Sequence, residues 1–127
     1  MSKKKILVVD DEIDFLKVIK LRLEVNGYDV VTAFDGEEVL KKIKTERPDA
    51  LLLDILMPKI DGLDILKKVR EENKSLPIFI MTAFSNEERY NFANKFNASG
   101  FILKTSNLQK EVDNIRAILS VSDESKK

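Results

Sequence analysis

Cysteine and histidine are both absent from this 127-residue sequence. Without cysteine there is no disulfide frame, no thiolate zinc site and no cysteine nucleophile. Without histidine there is no Ser-His-Asp triad, and the chain itself cannot carry a phosphohistidine. Net charge is missing too. The 22 Lys and Arg balance 22 Asp and Glu, so no overall basic field draws nucleic acid or anionic lipid, and direct binding of either is not expected. No apolar run approaches the ~20 residues of a membrane span. The opening Met1-Ser2-Lys3-Lys4-Lys5 lacks the apolar stretch of a secretory signal. From these absences a cytoplasmic chain is expected.

Apolar residues make up 43% of the chain, near the globular average, and the length suits one domain. Short apolar runs alternate with segments of helical period. Strands are predicted at Lys5 to Val9, Tyr28 to Ala33, Ala50 to Leu53, from Pro77 through Met81, and at Gly100 to Lys104. Helices are predicted at Ile13 to Asn26, Gly36 to Glu46, Leu63 to Glu72 and Glu87 to Phe96, with a last one from Leu108 that fades at Ser120. Gly27 is placed to end the first helix in a left-handed conformation, and Pro48 stops the second. Strands alternating with helices of 10 to 15 residues argue βαβ units. The expected architecture is α/β: a five-stranded, doubly wound parallel sheet, flavodoxin-like, (βα)5, with helices on both faces. Residues 1–120 form the domain and 121–127 a polar tail.

Five polar residues stand at the ends of the apolar runs. Asp10 and Asp11 follow Ile6-Leu7-Val8-Val9, Asp54 follows Leu51-Leu52-Leu53, Thr82 follows Ile78-Phe79-Ile80-Met81, and Lys104 follows Phe101-Ile102-Leu103. In an open parallel sheet those strand ends line one crevice, where ligands bind. Three carboxylates, a hydroxyl and an ammonium would converge there. A strand-end aspartate also serves as an ordinary helix cap. Two adjacent carboxylates, however, repel a bare phosphate, and they make sense where a hard cation such as Mg²⁺ intervenes.

With Val8-Val9-Asp10-Asp11-Glu12, Leu53-Asp54-Ile55-Leu56-Met57-Pro58, Asp61-Gly62, Met81-Thr82-Ala83 and Phe101-Ile102-Leu103-Lys104 in this order, the chain resembles the receiver domain of bacterial response regulators over residues 4 to about 120. The resemblance implies a two-component signalling domain rather than an enzyme acting on an external substrate. By the same resemblance Asp54 is the phosphoacceptor, Asp11 a direct Mg²⁺ ligand and Asp10 a water-mediated or supporting one, with the backbone carbonyl of Leu56 as a further ligand. Lys104 would pair with a phosphoryl oxygen, and Thr82 would turn its hydroxyl to the phosphoryl group. Phe101 is the aromatic that rotates with Thr82, and Leu56 and Phe84 would flank the approach of hydrolytic water. Pro58, Asp61 and Gly62 read as scaffold.

The implied donor is a sensor histidine kinase or phosphotransfer protein. The implied output is a downstream effector meeting the face of the fourth helix, fifth strand and fifth helix, here presenting Arg89, Tyr90, Lys95, Lys110 and Arg116. Two positions depart from the family pattern. Thr105 follows Lys104 where proline with a cis bond is usual, and Asn97 replaces a glycine four residues before Phe101. Asparagine is the next best residue for a left-handed turn. The alternatives are an Mg²⁺-dependent aspartyl-phosphate phosphatase of the dehalogenase type and a non-catalytic docking scaffold. The phosphatase normally needs a second acid where Leu56 stands.

Overall fold

The computed structural model describes residues 3–55, 61–82, 91, 93–105 and 107–125. Its elements run β1 (Lys5–Val9), α1 (Ile13–Val25), β2 (Asp29–Ala33), α2 (Gly36–Glu46), β3 (Ala50–Asp54), α3 (Gly62–Glu72), β4 (Ile78–Thr82), β5 (Gly100–Leu103) and α4 (Leu108–Ser125). All strand pairs are parallel, in the order β2-β1-β3-β4-β5. The fourth predicted helix falls mostly outside the described residues, although 93–95 are helical.

Alternation along each strand divides the core in two. Leu7, Val9, Leu51, Leu53, Ile78 and Ile80 face α2 and α3, meeting Val39, Leu66 and Val69. Ile6, Val8, Leu52, Phe79, Met81 and Ile102 face the other way, onto Leu16, Ile19 and Leu23 of α1 and Val112, Ile115 and Leu119 of α4. A strand covered on both faces has no polar side, which is why β3 and β4 read as unbroken apolar runs.

Turn chemistry matches the sequence in detail. Gly27 sits at φ 95° after α1, and Asn97 takes φ 60° where it was expected to stand in for glycine. Asp61 caps α3 by accepting the Leu63 N–H at 2.9 Å. A Cβ on Gly62 would collide with the Ile55 Cα and the Asp54 carbonyl oxygen, so only glycine lets α3 start directly behind the end of β3. The α4 helix continues five residues past the predicted fade at Ser120, because neither glycine nor proline follows Gly100 to stop it.

Arg70, on the last turn of α3, is buried. Its guanidinium donates to the carbonyls of Phe96 (2.8 Å), Asn97 (2.7 Å), Leu76 (2.6 Å) and Asn73 (3.2 Å). Burial lowers its pKa from the ordinary arginine value. Among the described residues, no helix is long and apolar enough to cross a membrane.

Candidate functional site at the C-terminal edge of the sheet

The sheet order changes direction between β1 and β3: the chain leaves β1 toward β2 on one side and returns to lay β3 on the other. A crevice opens at such a point, beyond the carboxyl ends of the strands. Val9 pairs with Leu53 and Asp54 with Met81, while Thr82 pairs with Leu103. The register therefore brings Asp10, Asp54, Thr82 and Lys104 to one edge, each one step from its neighbour. The Lys104 N–H donates to the Thr82 carbonyl at 2.9 Å and so fixes the last residue of that row.

Asp10 is fully buried and Asp54 is 2% exposed. Between them lies the Lys104 ammonium, 2.8 Å from Asp10 Oδ2, 2.5 Å from Glu12 Oε1 and 3.4 Å from Asp54 Oδ2. Burial works against its charge, but the Asp10 and Glu12 carboxylates, and then Asp54, more than offset this and hold the lysine pKa well above its ordinary value. Asp10 Oδ1 accepts the Glu12 N–H at 2.9 Å. Asp10 Oδ2 meets the ammonium as an ion pair without the angle of a hydrogen bond, and it is a buried oxygen with lone pairs to spare.

Of the predicted residues, Asp11 is not brought in. The bond from the Glu12 N–H to Asp10 Oδ1 makes an Asx turn, which leaves Asp11 exposed at its tip. Glu12 joins the group instead. Carboxylate oxygens of Asp10, Glu12 and Asp54 lie within 4.8 Å of one another. Octahedral Mg²⁺ with bonds of ~2.1 Å places its ligand oxygens ~3 Å apart when adjacent and ~4.2 Å when opposite. The hard-oxygen set and the spare lone pairs of Asp10 therefore fit such an ion after small inward shifts.

Glu12 belongs to the Val8-to-Glu12 motif, whose resemblance implies no role for it. The available signal was its place immediately before an amphipathic helix, from which a side chain can lean back over the strand end. Thr82 is buried at the end of β4, and Phe101 is half-buried against the core face of α2 and α3. Leu56, Pro58, Phe84, Arg89 and Tyr90 lie outside the described residues. The Lys104–Thr105 bond is trans, as are all the described peptide bonds. Lys95 and Lys110 are exposed. Arg116, expected on the output face, turns to α1 instead: it donates to the Asn26 carbonyl at 2.8 Å and lies 5.9 Å from the centre of the Tyr28 ring.

Comparison with known proteins agrees with this geometry. Residues 6–116 match the family described as response regulator receiver domain. The alkaline phosphatase synthesis transcriptional regulatory protein PhoP of Bacillus subtilis is 39% identical over 120 residues, 94% of this chain and 50% of that protein. The chain thus spans about half the length of the curated relatives it matches. A CheY-like receiver domain protein from Methanospirillum hungatei superimposes with a TM-score of 0.92 at 29% identity, covering 98% of this chain and 99% of that one. A putative response regulator from Chloroflexus aurantiacus gives 0.86 at 33% identity, covering 94% and 99%.

Proposed function

Because this chain belongs to the response regulator receiver family, a signalling domain of two-component systems, we propose that Asp54 is its phosphoacceptor and that the reaction depends on Mg²⁺. The observation that carries the reading is the convergence of Asp10, Asp54 and Lys104 at the switch point of the sheet. A carboxylate oxygen of Asp54 attacks phosphorus in line, and the bond to the leaving group breaks as that group takes the electron pair. An acyl phosphate results. Asp10, Asp54 and Glu12 would hold Mg²⁺, with Asp11 and the Leu56 carbonyl as the further ligands the family resemblance implies. The ion supplies charge neutralisation for the transferred group.

Lys104 exchanges a carboxylate for a phosphoryl oxygen and offsets charge in the transition state. The Thr82 hydroxyl then donates to the phosphoryl group, and Phe101 follows it inward. The domain promotes only its own phosphorylation and dephosphorylation. The donor is a sensor histidine kinase or phosphotransfer protein in the cytoplasm. The effector meets the face around β5 and α4, where Lys95 and Lys110 are exposed.

Incubation with acetyl phosphate and Mg²⁺, followed by intact mass, is expected to show one added phosphoryl group that is labile to hydroxylamine. In EDTA none should appear. Labelling of equal extent in EDTA, or none with Mg²⁺, would refute the reading.

A further inference from the structure

The Lys104 ammonium has a neighbour that is not an oxygen. Its nitrogen stands 4.7 Å from the centre of the Phe15 ring, within the ~6 Å at which a cation is attracted to an aromatic face. Phe15 lies in the first turn of α1, three residues after Glu12, so both side chains point from the same helical face toward the end of β5. The ring is half-buried against the core layer of α1 and α4, and its position is set by that packing.

We propose that Phe15 is a positioning residue for Lys104, holding the ammonium by its ring face while the lysine changes oxygen partners. This rests on the reading of Asp54 as phosphoacceptor. A lysine side chain has many rotamers to lose, and its charge is useful only if it is already beside the phosphoryl oxygens when they arrive. The three carboxylates around Lys104 cannot keep it in place through the reaction, because metal and phosphoryl group claim the same oxygens. A ring face attracts the ammonium through its quadrupole rather than through a lone pair, so it competes only weakly with the phosphoryl oxygen for the ammonium's donors. It also covers one side of the ammonium from water, in keeping with a lysine side chain only 7% exposed. Phe15 thus contributes at the site without touching the reacting atoms.

The test compares Phe15→Leu, which keeps apolar volume but removes the ring face, with Phe15→Tyr, which keeps both. Three quantities are measured: the initial rate of labelling by acetyl phosphate at saturating Mg²⁺, the Mg²⁺ affinity by calorimetry, and the NMR shift of the Lys104 ε-methylene in EDTA. The leucine variant is expected to label about fivefold more slowly, with Mg²⁺ affinity unchanged and the ring-current shift of Lys104 lost. The tyrosine variant should keep both the shift and a rate within about twofold of wild type. A leucine variant at the wild-type rate, a tyrosine variant as slow as leucine, or Mg²⁺ affinity falling in step with rate would each overturn the proposal. Wild-type protein that fails to label, with the ring shift intact, would instead refute the phosphoacceptor reading and leave Phe15 a contact without this role.

Discussion

Lys104→Met is expected to lower the metal-free melting temperature by roughly 9–25 °C, the largest stability loss of any single substitution at this site. Asp10 is fully buried, and Lys104 is the cation that meets it. Removing one partner of a buried ion pair strands the other charge, at a typical cost of about 3–5 kcal/mol. In a domain of this size each kcal/mol shifts the midpoint by roughly 3–5 °C. Methionine keeps most of the side-chain volume, so the loss reports charge rather than a cavity. Mg²⁺ should recover part of the drop, because it brings positive charge to the same carboxylates.

The pH dependence has a definite sign. The folded pKa of Lys104 is raised, so its contribution is complete below the unfolded value of about 10.4 and is lost only as pH climbs through the higher folded one. The gap between wild type and Lys104→Met should hold steady from neutral pH to about pH 10 and narrow above it. Thermal scans in EDTA check both points, and a drop below about 3 °C would contradict the charge balance described above.

Asp54→Asn is expected to abolish labelling by acetyl phosphate and also to make the metal-free protein more stable. The first effect follows from losing the attacking oxygen. The second follows from charge. Asparagine at this position removes two repulsions, with Asp10 and Glu12, whose oxygens lie within 4.8 Å, and one attraction, to Lys104 at 3.4 Å. With effective dielectrics between a protein surface and water, the net relief is about 0.5–2 kcal/mol, before counting the desolvation of a carboxylate 2% exposed. The midpoint should rise by roughly 2–8 °C in EDTA, while stabilisation by Mg²⁺ weakens. Asp11→Asn, by contrast, should leave the metal-free midpoint where it is, since that carboxylate is exposed and outside the cluster. Undiminished labelling of Asp54→Asn would remove Asp54 from its role.

The positions of Asp10, Asp54, Thr82 and Lys104 could be read from the chain because each follows a run of apolar residues that fits only a buried strand. Strand ends in a parallel sheet share an edge whatever the details of packing. What escaped the reading depends on angles that one-dimensional patterns do not carry. Whether Asp11 or Glu12 faces the crevice is decided by the turn that Asp10 makes with the Glu12 N–H. The contact of Phe15 with Lys104 joins residues 89 positions apart through the direction in which α1 leaves β1. The role of Arg70 is invisible to local pattern, since its four carbonyl partners come from two separate loops. The end of α4 differs from its expected place for a simpler reason: the segment after Ser120 is polar but holds nothing that breaks a helix.

Arg70 also sets how the molecule comes apart locally. Its partners lie at Asn73 and Leu76, just before β4, and at Phe96 and Asn97, just before β5. Neither loop can open while the guanidinium remains in place. If it leaves, four backbone carbonyls, the Leu76 one buried, lose a donor at the same moment. The two loops therefore form one unit of local unfolding, and amide hydrogens behind them exchange with solvent through a single shared opening rather than by separate fraying. Strand β5 and the lysine at its end are mounted on that unit, so the crevice keeps its shape unless α3 lets go.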